Sequence, residues 1–234
     1  KTHLDDLCVT DYYSKFGGAV GNLNAHYVAF PEINWEEKME EFISIFSIKR
    51  HKYTTQIDNY DLYSKIFDNV KRIQTILVDL CQDIWMYISN EYFILKKKEH
   101  EIGSSAMPHK VNPIDFENSE GNFLLSNNIL QFLSNKLPIS RLQRDLTDST
   151  LLRNMGVAFG YGLVGLKSLS KGIDKLDINA HRIKEDLQNN WVVVFEGIQT
   201  ILRREQFQNP YEITKEFIGN NPKPSENDIL QFIN

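Results

Sequence analysis

The sequence predicts an all-α protein: a long-helix bundle followed by a small helical C-terminal domain. Three observations lead there. One long run carries an unbroken helical apolar repeat, Asn-Pro and Pro punctuate a second long helix, and no stretch alternates for long enough to establish a sheet. At 234 residues the chain has ample length for a sizeable core.

The first helix rests on Leu62, Ile66, Val70, Ile73, Leu77, Leu80, Ile84, Ile88 and Leu95, spaced by threes and fours or by twice that at the end. No Gly or Pro interrupts Leu62 to Leu95, so one helix is predicted over about 59–97. It would be roughly 55 Å long at about 1.5 Å per residue, a length suited to a bundle or oligomer core. Asn112-Pro113 predicts the second helix, with Asn112 as N-cap, Pro113 first, and Asp115 and Glu117 in the first turn. It should run to about Asn135, before Pro138. A third should start near Asp148, capped by Thr147 or Asp148, and continue to about Leu169. Gly156, Gly160, Gly162 and Gly165 inside it read as points of close helix–helix approach. From Gly172 the text becomes shorter in period, more charged and broken by Asn and Pro. The predicted division is therefore 1–172 for the bundle and 173–234 for the C-terminal domain, Val192–Val194 being too short to establish a sheet.

Composition excludes several function classes. Twenty-six basic against 31 acidic side chains give a net charge of −5, which argues against a nucleic-acid partner. The most apolar stretch, Leu151 to Leu166, carries Arg153 and is shorter than the ~20 residues a membrane span needs. Cys8 and Cys81 stand far apart in no metal-ligand spacing, reading as reduced thiols of a cytoplasmic protein. No metal site and no cofactor are expected. The chain opens at Lys1 in a charged, helix-like run with no signal peptide, and reads as a piece of a longer protein.

Four segments can carry chemistry. In "GSSAMPHKVNP" (103–113), Gly-Ser-Ser and Met-Pro cannot continue a helix. This places Ser104 and Ser105 on a loop and Lys110 beside a helix start, where the dipole favours anions. The plain alternative is a surface connection. In "RDLTDSTLLR" (144–153), Ser149 and Thr150 fall in a first helical turn, with Arg144 before it and Arg153 four residues beyond Ser149. Spacing alone leaves two equal readings: a phosphate seat, or ordinary capping with Arg144 and Arg153 paired to Asp145 or Asp148. In "YTTQID" (53–58), Gln56 by itself is a polar loop residue. "KFGGAVGNLNAH" (15–26) is neither a P-loop nor a dinucleotide turn; its glycines would permit tight packing, with Lys15, Asn24 and His26 as further polar candidates.

"GSSAMPHKVNP" resembles the signature loop of the fumarase/aspartase superfamily, whose members release fumarate by β-elimination. "MPHKVNPIDFENSEGN" together with "SNKLPISRLQRDLTDST" (134–150) is similar to the adenylosuccinate lyase family, and the likeness covers nearly the whole chain, weakening after about residue 205. The resemblance implies cleavage of adenylosuccinate to AMP and fumarate, and of its imidazole-ribotide analogue, SAICAR, to AICAR and fumarate. A base takes a proton from the succinyl β-carbon and an acid protonates the leaving nitrogen. Carried over residue by residue, Ser104 is the base, and Lys110 holds the developing negative charge. Lys110 and Asn112 meet the succinyl carboxylates, while Ser105, Asn118 and Gln56 line the site. Arg144, Ser149, Thr150 and Arg153 receive the nucleotide phosphate, and His109 supports the loop.

The resemblance further implies a cytoplasmic homotetramer with active sites shared between subunits. The superfamily's acid is a histidine after threonine. Thr2-His3 does not fill that place, because His3 precedes Gly18 by only fifteen residues and lacks the following Gly-Gln-Pro. The chain thus corresponds to the C-terminal half, and activity would need the N-terminal half. The alternatives are a sibling lyase acting on another fumarate adduct, or a helical structural protein that kept the fold without the activity.

Overall fold

In the computed structural model, residues 1–96 and 112–233 are described. The chain forms two compact units: residues 1–86 with 112–175, and residues 87–96 with 176–233.

The first unit opens with a small lobe. Helix α1 (Thr2–Val9) leads to strand β1 (Tyr13–Lys15), then α2 (Asn24–Ala29), α3 (Trp35–Ser44) and strand β2 (Lys49–His51). The two strands pair in parallel, Tyr13 with Lys49 through Lys15 with His51. Asn34 caps α3 by accepting the Glu37 N–H. The bundle follows: α4 (Asp61–Ser89), α5 (Ile114–Lys136), a short α6 (Thr147–Leu152) and α7 (Met155–Ile173).

Helix α5 organises the packing. Phe116, Phe123, Leu130 and Leu137 recur every seven residues and are almost fully buried. Two of these rings lie against glycines of α7. A Cβ on Gly165 would fall 2.8 Å from Phe123, and one on Gly172 would fall 2.9 Å from Phe116. Backbone carbonyls reached this closely are satisfied by hydroxyls: Ser119 donates to the Gly165 carbonyl at 2.9 Å and Ser126 to that of Ala158 at 2.8 Å. Of the four glycines expected to mark close approach, Gly162 and Gly165 do so, whereas Gly156 and Gly160 have no atom near a would-be Cβ.

Three helix limits differ from the sequence expectation. Helix α4 stops at Ser89 and is 29 residues long, about 43 Å. Glu91 turns to φ 61°, and the Glu91 and Tyr92 N–H groups donate back to Ile88 and Tyr87 carbonyls at 3.0 and 2.8 Å. This is a Schellman stop built on glutamate rather than glycine. Helix α5 starts one residue later than expected: Pro113 is the N-cap, its carbonyl accepts the Phe116 N–H, and no side chain caps the turn. Asn112 therefore stands outside the helix and is exposed. The expected third helix is two helices. At the break the Asn154 amide donates to the Thr150 carbonyl at 3.1 Å while its N–H turns to Leu151, ending α6 as its own carbonyl begins α7. Leu146 holds the α6 N-cap position with no side-chain cap, so neither Thr147 nor Asp148 caps it.

The second unit begins where α4 ends. Strand β3 (Phe93–Leu95) pairs antiparallel with β4 (Leu176–Ile178), and four short helical pieces follow: α8 (Ala180–Asn189), a 3-10 turn (Trp191–Val194), α9 (Phe195–Arg204) and α10 (Pro210–Asn220). A last helix, α11 (Glu226–Ile233), brings Phe232 onto Phe195 and Phe217, with ring centroids 4.5–5.7 Å apart. The four strands of three residues each among the described residues were not expected from sequence, but helices carry the fold. No helix among the described residues is long and apolar enough to cross a membrane.

Candidate active site

Ser104, Ser105, His109 and Lys110 lie outside the described residues. The other candidates fall into two groups at the two ends of α5.

The first group forms where the 53–60 loop meets the segment after α5. The exposed Gln56 donates its backbone N–H to Gln143 Oε1 at 3.1 Å, so the two sequence blocks singled out separately are joined. Beneath that contact the Tyr60 hydroxyl donates to Asp148 Oδ2 at 3.2 Å. The other oxygen of Asp148 faces Arg144 Nε and Nη2, both at 3.4 Å. Asp148 is buried, whereas the Arg144 side chain keeps 30% of its surface exposed. Burial, with the neighbouring Asp148 charge and bond, pushes the Tyr60 phenol up to about 12, so it stays a proton donor at any ordinary pH. Along α6, Arg153 Nη2 reaches Ser149 Oγ at 3.5 Å, and Thr150 is exposed beside them. Of the two readings of this segment, the capping alternative describes Arg144, which pairs with Asp148. It does not describe Arg153, which has a hydroxyl partner.

The loop entering α6 is held by its own polar groups. Asp145 accepts the Thr147 N–H at 3.0 Å and the Thr147 hydroxyl, with Lys136 and Arg141 at 3.7 and 3.8 Å. The Thr147 hydroxyl above all, then its N–H and the two cations, outweigh desolvation and hold the Asp145 carboxyl below its ordinary range. On the opposite side of the 53–60 loop, Gly21 at φ 87° approaches so closely that a Cβ would fall 2.1 Å from the Thr54 carbonyl. Tight packing is thus what the glycine-rich segment supplies here. Gly21, Asn22, Lys52, Tyr53, Thr54 and Thr55 help line a cavity of about 440 Å³ beside it. Lys15 donates to the Gly18 carbonyl at 2.6 Å, and His26 lies edge-on to Trp35 with centroids 5.0 Å apart. Asn24 is the first residue of α2.

The second group sits at the N-terminal end of α5. Asn118 donates to Ser168 Oγ at 3.1 Å, and that hydroxyl donates to the Asp115 carbonyl at 2.8 Å. The Asp115 carboxylate binds buried Lys175 at 2.6 Å and Lys171 at 3.1 Å. Burial alone would raise its pKa, but the bonds from Lys175 and Lys171 outweigh that and lower it. Asn118 and the C-cap Leu137 are separated by 19 residues, or about 28 Å of helix. The structure therefore does not bring Asn112 and Asn118 to Gln56 and Arg144 within one chain.

Tyr60, Gln143 and the Asp115–Lys175 pair escaped sequence reasoning, and Asp148 entered it only as a cap or an ion-pair partner. No spacing rule marks Tyr60. Its one signal is position, immediately before the long helix that starts at Asp61. Among the described residues, no group of three or more His, Cys, Asp or Glu is placed to hold a metal.

Comparison with known proteins places the chain. The family model described as Lyase matches residues 1–124, and the one described as Adenylosuccinate lyase C-terminal matches residues 140–234. Curated adenylosuccinate lyases of Dictyostelium discoideum and of Escherichia coli (strain K12) are 55% and 50% identical, each over 94% of this chain and 48% of their own length. That of Haemophilus influenzae is 47% identical over 100% of the chain and 51% of its own length. The chain thus spans about half the length of the curated relatives it matches. Among solved structures, the fumarate lyase:delta crystallin from Brucella melitensis bound to cobalt aligns with a TM-score of 0.57 at 16% identity. It covers 79% of this chain and 41% of its own, a likeness of fold alone. Matched along nearly all its length by relatives of one name, and by both family models in chain order, the chain belongs to the adenylosuccinate lyase family.

Proposed function

We propose that the protein cleaves adenylosuccinate to AMP and fumarate, and SAICAR to AICAR and fumarate, by β-elimination. The observation that carries this reading is the identity of about half with curated adenylosuccinate lyases over at least 94% of the chain. The geometry adds support at the α6 end. Two guanidiniums and a hydroxyl are gathered along the short α6, Arg144 before it, Ser149 within it and Arg153 at its C-cap, beside the loop carrying Gln56, as a phosphate-bearing substrate needs. Fumarase and aspartase substrates carry no phosphate, which disfavours a sibling lyase, and a pure scaffold has no use for Arg153 on Ser149.

In this reading Ser104 removes the β-proton of the succinyl group, and Lys110 and Asn112 hold its carboxylates. The C–N electron pair leaves with the nucleotide nitrogen, which an acid outside this chain protonates. Ser105 and Asn118 line the succinyl side, and Gln56 the nucleotide side. Arg144, Ser149, Thr150 and Arg153 take the phosphate. No cofactor or metal takes part.

About 28 Å of α5 separates the Asn118 end from the Gln56 end, further than one small substrate reaches, which supports sites assembled from several copies. Exposed apolar residues on the bundle helices, including Ile76, Leu125, Phe132, Leu163 and Val164, support a homotetramer built through those helices. Residues from 173 onward would form its small C-terminal domain, and the enzyme would work in the cytoplasm.

The test is the phosphate. In protein of the full length of the curated relatives, the unmodified enzyme should bind AMP far more tightly than adenosine. Arg153→Met should lose about 1.5–3 kcal/mol of AMP binding, the worth of a charge-assisted hydrogen bond, and bind adenosine as before. Equal AMP binding by both proteins would place the phosphate elsewhere.

A further inference from the structure

Tyr60 is a bulky residue at φ 60°, a left-handed conformation that disfavours any side chain larger than Asn or Asp. Two arrangements hold it there. Its N–H donates to Asp58 Oδ2 at 3.0 Å, and its ring is built into the core with Ile57, Phe67, Leu130, Leu133 and Leu137. The ring also meets Tyr63 edge-on, with centroids 5.7 Å apart. A phenol fixed this firmly delivers its hydroxyl to one place, which is Asp148 Oδ2.

Asp148 is 5% exposed and lies in the first turn of α6, next to Ser149. Its second oxygen faces the Nε and Nη2 edge of Arg144 at distances near the limit of a hydrogen bond. The guanidinium is thus oriented by one edge while remaining partly exposed, rather than locked into a tight bidentate pair. A carboxylate left without the phenol would have only this cation for company, and would draw it inward.

We propose that Tyr60 and Asp148 are positioning residues for nucleotide binding. The fixed phenol anchors the Asp148 carboxylate, and the carboxylate holds Arg144 side-on with its outer face turned to the incoming phosphate. This rests on the reading of Arg144 as a phosphate ligand. It adds that the phosphate preference depends on a hydroxyl that never touches the nucleotide.

The test compares AMP and adenosine by calorimetry in protein of the full length of the curated relatives. Variants are Tyr60→Phe, Asp148→Asn, Arg144→Met and the Tyr60→Phe/Arg144→Met double. Tyr60→Phe should reduce the AMP-over-adenosine preference by about 2- to 150-fold, the range of coupling between directly linked groups, with adenosine affinity unchanged. In the Arg144→Met background the same change should have no further effect on the preference. A merely structural tyrosine would shift the melting temperature and leave the ratio alone, and that result overturns the proposal. So does an equal loss with and without Arg144. If Tyr60→Phe fails to fold, Asp148→Asn must show the loss for the proposal to stand. If Arg144→Met itself keeps the full preference, the phosphate seat is misplaced and this proposal falls with it.

Discussion

Asp115→Asn isolates the buried ion pair that starts α5, and its effect should depend on pH in a defined direction. The Asp115 side chain is 11% exposed and bound by Lys175, whose side chain is 4% exposed, and by Lys171, whose side chain is 54% exposed. Breaking a buried pair from one side costs about 3–5 kcal/mol. An asparagine oxygen still accepts a hydrogen bond from Lys175, and the Lys171 contact is largely solvated, so the expected loss is about 2–3 kcal/mol at pH 7. The folded-state pKa of Asp115 is lowered below the ordinary 3.8. The carboxylate therefore contributes its full stability above that value and loses it as pH falls through the depressed one. Protonated aspartic acid and asparagine are nearly isosteric and both neutral. The stability gap between the two proteins should consequently narrow below about pH 4 and close further down. Urea unfolding of both proteins at a series of pH values reads the gap directly. A gap constant from pH 7 to pH 3, or one that widens on acidification, would refute the account.

Three further outcomes bear on the active site. The chain alone should show no lyase activity, and mixing it with a polypeptide matching the other half of its curated relatives should give turnover; full activity from rigorously purified chain would put the acid within these residues. In full-length protein, Ser104→Ala should lower kcat by roughly 10²–10⁴ with little change in substrate affinity, as expected for loss of a general base. Random co-assembly of Ser104→Ala with an inactive Gln56→Met variant should recover about a quarter of wild-type activity, because some shared sites then receive both intact residues. No recovery in mixed tetramers would mean that Ser104 and Gln56 serve one site from one chain.

The parts of the fold legible in the sequence are those set by side-chain period and by proline. The α5 limits follow from Pro113 and Pro138 to within one residue or so, and the α4 repeat names its helix correctly as far as Ile88. The misplaced limits share a cause. At Glu91 the chain leaves the helix through a left-handed turn, and at Asn154 through bonds from its side chain and N–H to the Thr150 and Leu151 carbonyls; no glycine or proline stands at either position. Apolar Phe93, Ile94 and Leu95 then extend the apparent helical repeat although they form a strand. At the site, the family motif pointed to Gln56 and the 144–153 segment. Their junction through Gln143 and Tyr60 could not be read, because it joins positions 87 and 88 residues apart.

In the proposed reading, that junction also ties both sides of the site to the packing of the bundle. Ile57 and Tyr60 on the loop share one core cluster with Leu130, Leu133 and Leu137 at the end of α5, and Leu151 and Leu152 of α6 pack against it. The loop presenting Gln56 and the helix presenting Arg153 therefore take their positions from the same set of buried side chains. A cavity in that cluster would move both sides of the proposed nucleotide seat together. At the other end of α5, Phe116 against Gly172 and Asp115 against Lys175 fix the helix start next to Asn112 and Asn118. In the proposed reading one helix carries two separately anchored half-sites, and its stiffness, rather than any contact between them, sets the distance that neighbouring copies would bridge.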